Sequence, residues 1–147
     1  TSVLTSDPYT DRDLTMPDVN TLTQNAAKEA YEKAGIGPQD LDLVELHDCF
    51  ATAELLHYEN LGLCAEGEAG RMIDEGRTEL GGEVPVNVSG GLLSKGHPLG
   101  ATGVANIYEI VTQLRGQAGA RQVEGPKAGL AHVIGLGSAC TIHILTV

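Results

Sequence analysis

Residues 90–103 read GGLLSKGHPLGATG, a run that predicts an enforced turn. Its glycines lack the side chains that stabilise a helix or strand. Pro98 fixes its own backbone and biases His97 away from helical geometry. Before the turn, residues 84–88 alternate around Pro85 and Asn87 as a strand does, with Pro85 at its start. After it, Val104, Ile107, Tyr108, Val111 and Leu114 recur at helical spacing. The chain therefore passes from strand to helix through a stiff loop that carries a histidine. A second junction of this kind lies earlier. Apolar residues 43–46 run straight into HDCF, His47 to Phe50, and a helical pattern resumes over residues 51–61 and stops at Gly62. Strands alternating with helices predict an α/β fold, a layered mixed sheet flanked by helices.

The rest of the chain extends that pattern. Residues 1–21 are polar and read as a linker or the tail of an upstream region, and residues 22–147 as one domain. An Ala-rich helix covers residues 22–34 and ends at Gly35. Residues 66–76 predict a short surface helix whose Glu66, Glu68, Asp74 and Glu75 form a solvated face. Residues 116–125 form a polar connection. Residues 128–134 and 139–147 predict two strands joined by GLGS as an antiparallel hairpin. The chain starts without Met, which suggests a fragment or a processed piece.

Composition narrows the function. A net charge of -11 disfavours nucleic acid and anionic membranes as partners. No apolar run reaches membrane length. Cys49, Cys64 and Cys140 form an odd set with no disulfide framework, which fits a reducing, cytoplasmic setting.

The residues allow several candidate chemistries to be weighed. His97, on its stiff loop beside a helix N-terminus, suits hydrogen bonding to an oxygen that gains charge, or proton abstraction from a thiol. The bland alternative is a histidine that closes a turn. Cys49 opens a helix beside His47, a setting in which a thiol moves protons; the alternative is a small buried hydrophobe. A phosphate-binding loop fails, because His97 stands where its Lys is required. Gly135 and Gly137 alone are too little for a dinucleotide fingerprint. The spacing of His47, Cys49, His57 and Cys64 matches no zinc pattern, so no metal site is expected. Cys64, Cys140, His143, Tyr58 and Tyr108 read as packing residues. His132 is harder to dismiss, since its strand leads to the GLGS turn. Gly96, Pro98 and Gly137 are the candidate substrate-binding positions, and His47, Cys49 and His97 the candidate catalytic ones.

The runs VELHDCFATAELLHYENLGLCAEGEAG, VNVSGGLLSKGHPLGATG and QLRGQAGARQV together resemble the carboxyl-terminal half of the thiolase family, in the branch of sterol carrier protein x and the lipid-transfer proteins. The resemblance covers about residues 22–147. It implies half of a five-layer αβαβα fold and ping-pong Claisen chemistry on 3-ketoacyl-CoA. Coenzyme A is then a substrate, and no cofactor is implied. The nucleophilic cysteine belongs to an amino-terminal half that this sequence lacks. His97 matches the histidine that activates it and binds the thioester oxygen. His47 matches an oxyanion-hole histidine, and Cys49 the acid/base that other thiolases place on a late Cys-x-Gly loop. Here that loop reads AHVIGLGSAC; the Cys-x-Gly cysteine position falls at Val133, and His132 precedes Val133 where the branch often has His-Asn. The resemblance implies an acyltransferase inactive without its other half, with that half, acyl-CoA and a second copy of the enzyme as partners. Two other readings stay open: a thiolase-like retro-aldolase acting on steroid side-chain CoA esters, and a noncatalytic acyl-CoA or lipid-binding module.

Overall fold

The computed structural model describes residues 2–4, 19–135 and 138–147. Strands β1 (Ser2–Leu4), β2 (Leu43–Glu45), β3 (Ala128–Gly135) and β4 (Ala139–Thr146) form one sheet in the order β1-β4-β3-β2. β3 and β4 make the expected antiparallel hairpin, and β2 runs parallel to β3. Helices α1 (Val19–Ala34) and α2 (Ala51–Asn60) cover one face, and α5 (Thr102–Leu114) covers the other. The layering follows from strand parity. Leu130, Ile134, Cys140 and Ile142 point to one face and bury against Leu22, Ala26, Ala27 and Ala30, which form one stripe of α1. Ala131 points to the other face, with Leu43, Ile110 and Val123. Each fully buried leucine contributes about 1.5–3 kcal/mol.

Several elements depart from the sequence pattern. α1 begins at Val19, ahead of residue 22. Within the stretch read as a linker, Ser2–Leu4 pairs antiparallel with β4. Residues 84–88 do not form a strand. Val86 makes a single parallel bridge to Val44, through Val44 N–H to the Pro85 carbonyl at 2.9 Å and Asn87 N–H to the Val44 carbonyl at 2.8 Å. Pairing ends because Asn87 adopts φ 52 and turns its Oδ1 onto the Leu46 N–H at 2.8 Å. The glycine-rich turn contains a short helix, α4 (Gly91–Lys95). The surface helix is shorter than expected, α3 (Ala69–Asp74), and it buries Ala69 and Met72 while its acidic neighbours stay exposed.

The largest departure is the orientation of α5. Its apolar stripe predicts a face turned to the core, yet Val104 and Tyr108 are each 68% exposed. The helix instead buries Thr102, Asn106, Glu109, Ile110 and Gln113. Polar bonds explain the choice. Asn106 Nδ2 donates to the His132 carbonyl at 3.2 Å, Gln113 Oε1 accepts from Val123 N–H at 2.8 Å, and Glu109 pairs with Arg121 at 3.0 Å. Tyr108 is therefore not the packing residue its spacing suggested, whereas Tyr58 is buried.

Candidate functional site

The site lies beyond the carboxyl ends of the parallel strands β2 and β3, where α/β sheets bind ligands. β2 delivers His47 to this edge, and the loop after α4 delivers His97. The two Nε2 atoms lie 3.2 Å apart, with the rings edge to face at 4.8 Å between centroids. Thr102 orients the second ring. Its Oγ1 lies 2.7 Å from His97 Nδ1 and donates to the Pro98 carbonyl at 3.3 Å. A hydroxyl has one proton, so with that proton on Pro98 the Thr102 oxygen accepts from His97 Nδ1–H. His97 Nε2 then carries a lone pair, and His47 Nε2–H donates to it. One imidazole is thus set as an acceptor and the other as a donor.

Both rings open into one pocket of about 870 Å³, which Cys49 also lines. Its other walls are mainly apolar, with Phe50, Leu99, Val104, Ile107 and Val133 among them. Cys49 sits just before the first turn of α2 and is half-buried. Val133 occupies the wall beside Gly103, where a Cβ added to the glycine would meet Val133 Cγ2 at 3.3 Å. Gly96 and Pro98 flank His97 but do not line the cavity. Gly137 lies outside the described residues.

Sequence reasoning missed two pocket residues, His57 and His143. His143 faces the cavity because it pairs with Ala131 across the hairpin and shares the parity of Val133 and Thr141. That parity was available in the sequence. His57 comes from α2 and packs against His132, with ring centroids 4.4 Å apart. His132 is fully buried outside the cavity wall, and its Nδ1 accepts from the His47 backbone N–H at 3.4 Å.

Burial sets the protonation of these groups. It pushes His57 down to about 4, aided by nearby His47, and holds His132 far below its ordinary range. Burial and the neighbouring His97 also lower His47, against a smaller opposing pull from Asp48. Burial raises the Cys140 thiol to about 11. All three cysteines are free thiols. Among the described residues, no group of three His, Cys, Asp or Glu side chains is placed to hold a metal ion. No described helix is long and apolar enough to cross a membrane.

Fold and pocket define an α/β domain with a mainly apolar pocket at the carboxyl edge of its sheet. The chain belongs to the thiolase C-terminal domain-like family, which it matches over residues 8–147. It is 55% identical over 123 residues to "Sterol carrier protein 2" of Rattus norvegicus, covering 84% of this chain and 22% of that protein. It is 49% identical over 136 residues to "Acetyl-CoA acetyltransferase" of Methanothermobacter thermautotrophicus, covering 92% of this chain and 35% of that one. The solved structure "Ltp2-ChsH2(DUF35) aldolase" superposes with a TM-score of 0.77 at 25% identity, over 99% of this chain and 38% of that chain. The chain thus spans between a fifth and about a third of the curated relatives it resembles. Those relatives associate the family with acyltransferase-type enzymes.

Proposed function

We propose that this chain is the carboxyl-terminal domain of a 3-ketoacyl-CoA thiolase of the lipid-transfer-protein type. The observation that carries the reading is the meeting of His47 and His97 at 3.2 Å in a pocket that Cys49 also lines. A nucleophilic cysteine from an amino-terminal half gives its proton to His97 Nε2 and attacks the 3-keto carbon. The C2–C3 bond breaks, and its electron pair becomes the enolate of the departing acyl-CoA. His47 and His97 hold the oxygens that gain charge. The Cys49 thiol delivers a proton to C2. In the second stage, the CoA thiol passes its proton to the Cys49 thiolate and attacks the enzyme thioester. The expelled cysteine thiolate takes its proton back from His97.

The exposed apolar residues around the pocket support this division of labour. Phe50, Leu99, Val104 and Tyr108 are exposed on the side that another half would cover. A five-layer assembly with that half, and with a second copy of the enzyme, is part of the same proposal. Acyl-CoA is the substrate, with the apolar walls at Phe50, Leu99, Val104, Ile107 and Val133 as its contact surface. The free cysteines support a cytoplasmic setting.

The test combines this chain, joined or separate, with an amino-terminal thiolase half that carries the cysteine. Thiolysis of acetoacetyl-CoA is expected from the combination and not from this chain alone. An inactive combination, or turnover by the chain unaided, overturns the proposal. The aldolase neighbour favours a second reading, retro-aldol cleavage of a CoA ester without an acyl-enzyme. Replacing the nucleophilic cysteine with Ser separates the two, because only thiolysis requires it.

A further inference from the structure

Asp48 stands between His47 and Cys49, both of which line the pocket, yet its side chain points away from it. The carboxylate is 2% exposed and accepts from Leu92 N–H at 2.7 Å and Leu93 N–H at 3.4 Å, in the first turn of α4. Gly91 presses on it so closely that an added Cβ would lie 2.1 Å from Asp48 Oδ2. Three residues earlier, the fully buried Glu45 accepts from Ser89 N–H at 3.0 Å and from the Ser89 hydroxyl at 2.5 Å. Lys95 lies 3.5 Å from the same carboxylate and also donates to Ser89 Oγ. Two acids thus bracket His47 on one segment and grip residues 89–95 on the other.

The grip matters because little else holds His97. Residues 93–101 are all exposed, and among the described residues the far side of the His97 ring is hydrogen-bonded by Thr102 alone. Burying two carboxylates is costly unless each is well paired, and a five-residue helix does not need both for its own sake. We infer that Asp48 and Glu45 form a clamp between the two loops, as positioning residues that hold His97 within hydrogen-bond distance of His47. The catalytic consequence rests on the proposed thiolase function; the geometric one does not.

Ring-nitrogen resonances of the ¹⁵N-histidine-labelled chain test the clamp directly. In Asp48→Ala, the His47 and His97 signals are expected to move together toward those of isolated imidazoles, while His57 and His132 keep theirs. Asp48→Asn, which retains an acceptor for Leu92, is expected to restore them. Unmoved His47 and His97 signals overturn the clamp. So does equal movement of all four histidines, which marks general loosening. Should Asp48→Ala not fold, Gly91→Ala displaces the carboxylate without removing it, and is expected to shift the same two signals; no shift there overturns the clamp. With the amino-terminal half present, Asp48→Ala is expected to lower kcat about 100-fold with KM nearly unchanged, the cost of misplacing a catalytic group by about 1 Å. A wild-type combination without thiolysis sinks the thiolase reading and leaves the resonance result standing. Wild-type turnover with unmoved resonances in Asp48→Ala sinks the clamp alone.

Discussion

Two imidazole pairs lie near the same edge of the sheet, and their surroundings are opposite. His47 and His97 share a hydrogen bond at 3.2 Å, continue to Thr102, and open into the pocket. His57 and His132 stack at 4.4 Å, and the core side of the pair leaves His57 Nδ1 and His132 Nε2 buried without partners. The first pair has a defined proton order, because one hydroxyl proton committed to Pro98 fixes the chain of donors. In the second pair the His47 backbone N–H fixes only His132, whose Nδ1 accepts from it, and desolvation keeps both rings neutral. The proposed chemistry therefore falls to the pair whose facing ring nitrogens meet inside the pocket, while His132, the deepest histidine, lies outside the cavity wall.

The comparison is broken most directly at His97. In the assembled enzyme, His97→Ala is expected to lower thiolysis about 1,000-fold, within the range for losing a positioned acid/base and oxyanion donor. The same substitution is expected to change unfolding free energy by less than about 0.5 kcal/mol, because the side chain is exposed. Steady-state kinetics beside a urea melt of the same variant read both quantities. Retained activity would falsify the assignment of chemistry to the pocket pair.

The core pair gives the next effect, in stability. His57 is depressed when folded, so the unfolded chain binds the proton more readily. Its contribution is complete above about pH 6.5 and is lost as pH falls toward about 4. The shift corresponds to about 3 kcal/mol. Urea melts between pH 7 and pH 4 are expected to show this loss, and His57→Leu is expected to have a shallower pH dependence than wild type, with His132 keeping the remainder. Equal slopes in the two proteins would assign the acid sensitivity elsewhere.

The hairpin and α1 were legible because their patterns are simple: β3 is a continuous run buried on both faces, β4 alternates at its start, and α1 carries a 3.6-residue stripe from Leu22 to Ala30. The pocket pair was legible because HDCF places His47 where a strand gives way to a helix and GHP holds His97 on a stiff loop, although that loop joins two helices, α4 and α5, instead of a strand and a helix. The orientation of α5 was not legible. Its apolar stripe is strong in the sequence, but Asn106 and Gln113 find partners at His132 and Val123, and no local pattern announces those partners. Residues 84–88 alternate convincingly, yet the left-handed Asn87 ends their pairing after one bridge. The place of His57 was not legible, because its neighbour, His132, is distant in sequence and adjacent only after folding.

The smallest effect sharpens the comparison from the other side. At pH 7, His57→Leu is expected to shift unfolding free energy by no more than about 1 kcal/mol. Nδ1 of His57 is buried without a partner, so the change breaks no hydrogen bond at that atom. Removing an unsatisfied buried polar atom relieves a desolvation cost, which offsets the imperfect fit of an aliphatic side chain against His132. An apolar residue in the pocket pair has no such compensation, since His47→Leu strips His97 Nε2 of its donor. A loss well above 1 kcal/mol in His57→Leu at pH 7 would show that the core imidazole holds a bond of its own, and the contrast between the two pairs would then rest on access alone.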